Sequence, residues 1–230
     1  MEAYSLARIE NMDEILQGFQ KYKTGLSRDK EFSKEHRIEL LTLLIKLIYP
    51  FMDSQLKFVE VLNQMKSSSA AGFLTRGSKR HAIENFFDDI FFYYHRPMQF
   101  LFDYHNIWVI VGKDEVRLNE KEPRTYSYCD IVHGFLMQSF TKFQNLSIME
   151  NWKDLPFAVG IDQEGWSYLI NDLAACGPKY WVMWDASRYD RSIPKEAMEV
   201  SYYLRAGLMN KRQARILKGL YSRIINRINL

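Results

Sequence analysis

Two aspartates, Asp185 and Asp190, stand five residues apart in the stretch 179–194, KYWVMWDASRYDRSIP. Ahead of them, residues 180–184 form a run of large apolar and aromatic side chains, opened by the breakers Gly177 and Pro178. So short a run behind breakers predicts a buried strand. Ser192 and Pro194 then signal the start of a helix. The local order is strand, acid, tight turn, acid, helix. A carboxylate at the end of a buried strand is rigidly aimed. A hard divalent cation that keeps several waters and takes phosphate oxygens as its other ligands needs such a group. Aspartate also commonly ends a strand or caps a turn, and by themselves the two acids favour that plainer description.

A second set of candidates is basic. Residues 107–111, IWVIV, predict a clear strand. It runs into Gly112-Lys113-Asp114-Glu115-Val116-Arg117, with Lys121 and Arg124 beyond. Cations at intervals of three or four could clamp a triphosphate, neutralising its oxygens and easing departure of pyrophosphate. Mixed with acids, they also fit a salt-laced hairpin. The third set lies in residues 67–80, SSSAAGFLTRGSKR. Small residues around Ser69 and glycines at 72 and 77 permit close approach of another backbone, and Arg76, Lys79 and Arg80 add charge. On composition alone this is a flexible surface loop.

The three sets together resemble viral RNA-dependent RNA polymerases of the picornavirus, calicivirus and astrovirus group. Asp185-Ala-Ser-Arg-Tyr-Asp190, behind an aromatic strand and followed by Ser-Ile-Pro, is similar to motif A of that family. The resemblance implies that Asp185 binds the catalytic Mg2+, with Mn2+ as a substitute, and that Asp190 lies near the ribose 2′-hydroxyl of the incoming nucleotide. Reverse transcriptases usually carry a bulky aromatic where Asp190 stands. Lys113-Asp114-Glu115-Val116-Arg117 with Lys121 and Arg124 resembles motif F, whose basic residues line the nucleotide tunnel; the common form has Leu in place of Val116. The glycine loop, basic cluster and Ile83-Glu84 resemble motif G beside the template channel, although Phe73-Leu74 follows the first Gly where an aromatic-Pro pair is common. On that likeness Ser69, Gly72, Arg76 and Lys79 would contact RNA. Asp130, Phe140, Phe143 and Gln144 fit the segment that joins fingers to palm.

The resemblance implies an α+β, right-hand polymerase fold, incomplete in this chain: fingers over residues 1–160 and the start of the palm, with motif A, over 161–230. The activity implied is RNA-directed RNA polymerase, a nucleotidyltransferase, present as a fragment that cannot polymerise alone. Partners would be template and product RNA, nucleoside triphosphates and other viral replication proteins, in the host cytoplasm. A reverse transcriptase-like enzyme and a non-catalytic RNA-binding module are the alternatives. Asp190 and the Lys-Asp-Glu-Val-Arg segment argue against the first. Metal-dependent affinity for triphosphate would argue against the second.

The elements that must position these residues are legible in outline. The chain has 230 residues, 47% of them hydrophobic and 15% aromatic, enough for a sizeable packed core. Net charge is only +3, so any nucleic-acid surface must come from local clustering. Cys129 and Cys176 are too far apart in sequence for a zinc spacing and form no disulfide framework, which suits a reducing compartment. No signal peptide is expected from residues 1–14, which carry acids early, and the apolar stretch 40–51 is too short to span a bilayer. A soluble protein is expected.

A weak amphipathic helix is predicted near residues 15–22. Residues 35–65 read as one or two helices broken at Pro50. Residues 85–102 read as an aromatic helix broken before Pro97, its rings forming core and not base-stacking platforms. A helix is expected over 131–143, in which His133 is structural. Asp162 and Gln163 open another helix, carrying Trp166, Leu169, Ile170 and Leu173. After Val200 come seven cations and no acid. There Leu217, Leu220, Ile224 and Ile228 predict one helical stripe, leaving a basic face that suits RNA phosphates and solvent equally.

Overall fold

Helix boundaries follow the breakers and caps of the sequence. The computed structural model describes residues 4–6, 33–49, 57–65, 69–112, 116–118, 125–155, 159–177, 195–226 and 228–229. The chain divides into two units, one of residues 1–31, 58–137 and 218–230, the other of 32–57 and 138–217.

In the first unit, strand β1 (Tyr4–Leu6) pairs antiparallel with β3 (Val116–Leu118). Strand β2 (Ile107–Gly112) is the centre of a three-stranded sheet, antiparallel to β4 (Thr125–Cys129) and parallel to the short β5 (Ile228–Asn229). Ile228 therefore belongs to a strand and not to the helical stripe predicted for it. Four short helices precede the sheet: α2 (Phe58–Gln64), α3 (Lys79–Asn85), α4 (Phe87–His95) and α5 (Pro97–Asp103). Pro97 takes the first helical position of α5, where its missing N–H costs nothing.

The aromatic segment forms a ring cluster, as expected, but not all of it is core. Phe58 packs edge-on against Phe87, Phe91 and Tyr94 at 5.1–5.6 Å and against Phe135 at 5.0 Å. Phe100 is fully buried between Tyr93 and Tyr104. Phe102, by contrast, is 80% exposed, because three short helices present aromatics on more sides than one core can cover. Phe87 and Phe91 are also partly open to solvent.

The long helix α6 (Ile131–Glu150) and helix α9 (Lys211–Ile225) each contribute to both units. At the start of α6, His133 is buried between the rings of Phe100 and Trp108. One ring nitrogen is bonded to the backbone of Leu220, while Nε2 has no partner among the described residues. Burial, with the charge of Arg223 second, pushes its pKa down to about 4, so the ring is neutral at pH 7. Arg223 of α9 lies over the face of Phe100 and donates to the carbonyls of Leu101 and Tyr104. It holds the end of α5.

In the second unit, α1 (Lys34–Ile48) starts at Ser33, whose hydroxyl accepts from the His36 amide. Its Ile48 packs with Leu204 of α8 (Lys195–Ala206), and the Tyr49 hydroxyl donates to the Leu204 carbonyl. Arg37 pairs with Glu199 at 3.0 Å. Arg205 reaches Gln144 and Asn145 of α6 at 3.0 and 2.7 Å. Asp162 caps α7 (Gln163–Ala175) by accepting from Gly165 N–H at 2.7 Å, as its sequence predicts. Much of α7, including Trp166, Ile170 and Leu173, faces solvent. No described helix is long and apolar enough to cross a membrane.

Candidate nucleic-acid interface

Of the sequence-predicted site residues, Asp185, Asp190, Lys113, Lys121 and Arg124 lie outside the described residues, as does the predicted strand before Asp185. Arg117 is in β3, in register with Ser5 of β1. Helix α8 begins at Lys195, directly after the predicted start signals. The remaining candidates, Ser69, Gly72, Arg76 and Lys79, fall in one well-defined loop.

That loop is closed on itself and fastened at its base. Ala70 and Ser78 form an antiparallel bridge, Ala71 N–H donates to Gly77 O at 2.9 Å, and Lys79 N–H donates to Ser69 O at 2.7 Å. The Ser78 hydroxyl accepts from the His81 amide and starts α3. Between these ends the backbone turns through left-handed conformations, Gly72 at φ 120°, Arg76 at φ 50° and Gly77 at φ 66°. Gly72 has a second reason to be glycine. A Cβ there would lie 2.5 Å from Asp130 Cα, closer than any side chain tolerates.

Asp130, at the junction of β4 and α6, is the fastening point. Its side chain is buried and takes four hydrogen bonds. Oδ2 accepts from the amide and hydroxyl of Thr75, both at 3.2 Å. Oδ1 accepts from Tyr104 Oη–H at 2.6 Å and from Val132 N–H at 3.3 Å. The amide of Ile131 donates to Ala71 O at 2.6 Å, so backbone and side chain hold the same turn. Burial, then the Asp130 charge, raises the Tyr104 pKa, which keeps its hydroxyl a donor. Beside it, burial pushes the Cys129 thiol up to about 11 and leaves it neutral.

The consequence is a rigid platform with a charged tip. Thr75, Ala71 and Gly72 are buried, whereas Arg76 and Gly77 are exposed. Arg76 makes no ion pair among the described residues, and a non-glycine residue at positive φ is held there against a cost of about 1–3 kcal/mol. Such strain collects where a side chain must be aimed. Lys79 is half-buried, and Arg80 is paired with Glu84 at 3.2 Å. Among the described residues no group of His, Cys, Asp and Glu could hold a metal ion. Asp130 itself is occupied by its four donors.

The model of the viral RNA-dependent RNA polymerase family matches residues 5–228, nearly the whole chain. The chain belongs to that family. The structure is also similar to one described as Sicinivirus 3Dpol RNA dependent RNA polymerase, with a TM-score of 0.70 at 16% identity. That similarity covers 95% of this chain and 51% of the other, so the chain spans about half the length of that polymerase. The fold is accordingly an incomplete right-hand polymerase fold. No curated protein matches the chain.

Within this polymerase fold, sequence reasoning found the loop but missed what holds it. Asp130 read as part of a connecting segment, and Thr75 and Tyr104 carried no signal. The available hint was an acid directly before a long apolar helix, which marks a cap, not a tether to residues 55 positions away. Replacing Arg76 with Ala removes the exposed cation and relieves no buried contact. RNA affinity is expected to fall evenly across sequences, and the salt slope for single strands to drop by about 0.7. Fluorescence anisotropy over a salt series measures both, and an unchanged slope removes Arg76 from the interface.

Proposed function

We propose that this chain is the fingers, residues 1–160, and the opening of the palm, from residue 161, of an enzyme that copies viral RNA from an RNA template. The observation that carries this reading is the family match over residues 5–228, a range that includes all three motif-like stretches. The fastened loop supports it, since a template strand needs a surface that does not yield. Asp185 would hold the divalent metal ion that such polymerases use, Mg2+ or Mn2+. Bound there, the ion supplies the positive charge that lowers the pKa of a 3′-hydroxyl and stabilises the in-line transfer. Lys113, Arg117, Lys121 and Arg124 would neutralise the triphosphate and the departing pyrophosphate. Ser69, Gly72, Arg76 and Lys79 would border the template. Template and product RNA and nucleoside triphosphates are the partners this reading requires. Its setting would be the host cytoplasm, alongside other viral replication proteins.

Asp190 would accept the hydrogen bond of the ribose 2′-hydroxyl, directly or through a neighbour. A site built for that bond penalises its absence strongly. The test uses a chain that carries these residues together with the second half of the fold. It should extend an RNA primer with ribonucleotides in Mg2+, and Asp190→Ala should narrow its preference for ribo- over deoxynucleotides. Equal use of deoxynucleotides by the unaltered enzyme points to a reverse transcriptase. An unchanged ratio in the variant places sugar selection elsewhere.

A further inference from the structure

Charge in this chain is segregated. The first 199 residues hold 24 cations against 28 acids, while residues 200–230 hold seven cations and no acid. The structure sorts these seven by role. Arg205 and Arg223 turn inward to side-chain and carbonyl oxygens, and Arg227 lies outside the described residues. Lys211, Arg212, Arg215 and Lys218 remain, all exposed on α9 and without an ion pair among the described residues.

Helix geometry gathers them. At about 100° per residue, Lys211, Arg215 and Lys218 fall within about 60° of arc, with Arg212 on the flank. Ile216, Leu217 and Leu220, all buried, occupy the opposite side, and buried Tyr221 lies on the other flank. The mutual placement of the cations is fixed by the helix itself. Successive members of the stripe are separated by about 6 and 4.5 Å along the axis. That makes a rigid row of positive charge about 10 Å long, with no carboxylate to neutralise it.

We propose that this stripe of α9 is a second RNA-contact surface, separate from the loop at Arg76. It would bind the phosphates of a single strand without reading its bases. Lysine and arginine alternating on a solvent face give neutralisation and counterion release, while the stripe offers no aromatic side chain for stacking, and the exposed Ile225 beside it is far less apolar surface than a protein partner would bury. The proposal rests on the polymerase reading for the identity of the polyanion.

The test compares the unaltered chain with the triple variant Lys211→Ala, Arg215→Ala, Lys218→Ala, using a fluorescent single-stranded RNA oligonucleotide over a salt series. All three side chains are exposed, so folding should be retained, and circular dichroism checks it. At about 0.7 per phosphate contact, the slope of log affinity against log salt should fall by about 2. Lys153→Ala, which removes one exposed cation that is not on α9, should change the slope far less. If the unaltered chain binds no RNA, the stripe falls, while the RNA-copying reading is judged by primer extension with the second half of the fold present. If it binds and the triple variant keeps the same slope, the stripe alone falls. Loss of binding to phosphatidylserine vesicles with an unchanged RNA slope assigns the stripe to a membrane and also overturns the proposal.

Discussion

Asp185→Asn, in a polymerase chain that carries these residues with the rest of the fold, is expected to remove nearly all elongation and leave RNA binding in place. The substitution keeps the shape of the side chain and removes its charge. On the proposed assignment a hard cation would lose an anionic ligand, while RNA affinity would depend on cations elsewhere. A loss of ~10³-fold or more corresponds to about 4 kcal/mol of barrier. Rapid-quench measurement of single-nucleotide addition, paired with RNA binding at equilibrium, separates the two effects. An elongation rate within about tenfold of the unaltered enzyme, a barrier change of ~1.4 kcal/mol, sinks the metal assignment.

Asp130→Ala should have the largest effect on stability. It strands the amides of Thr75 and Val132 and the Tyr104 hydroxyl in a buried place. Each orphaned donor costs about 1–3 kcal/mol, so a total of about 3–5 kcal/mol is expected once some relaxation is allowed. Asp130→Asn should be intermediate, because its NH2 must face one pair of donors. Tyr104→Phe removes a single donor and should cost about 1 kcal/mol. Urea denaturation gives the totals, and hydrogen exchange at Thr75 and Val132 reports whether the loop has come loose. Full protection of those amides in Asp130→Ala would show that the backbone bond from Ile131 to Ala71 suffices alone.

What the sequence revealed was local chemistry. Asp162 was readable as a helix start and Pro97 as a helix break, because each acts on residues within one turn; the Ser33 cap was not read. The loop at Gly72 was readable as a place of close approach, and the approaching backbone proves to be that of Asp130. The partner could not be named, since nothing in a hydrogen bond spanning 55 positions leaves a periodic trace. The same limit explains Ile228. Its spacing from Ile224 suits a helix, but pairing with Ile107, far away in the chain, makes it a strand. Arg205 and Arg223 were misread as part of a basic face because composition cannot distinguish an exposed cation from one turned onto carbonyls. Phe102 was misread as core for the converse reason. Asp185 and Asp190 were read as motif chemistry, and they lie outside the described residues.

Strand β5 bears on how the chain is made. Its partner β2 leaves the ribosome more than a hundred residues earlier, and at roughly 5–20 residues per second that interval lasts on the order of ten seconds. Throughout it, the edge of β2 that β5 will cover carries unpaired backbone groups on an apolar IWVIV segment, which is a template for mispairing with other nascent chains. The Asn106 amide also waits, because its acceptors are the carbonyls of Arg223 and Asn226. A polysome crowded with such half-finished sheets gives a chaperone that shields β2 a defined task, one that ends when residues 218–230 emerge.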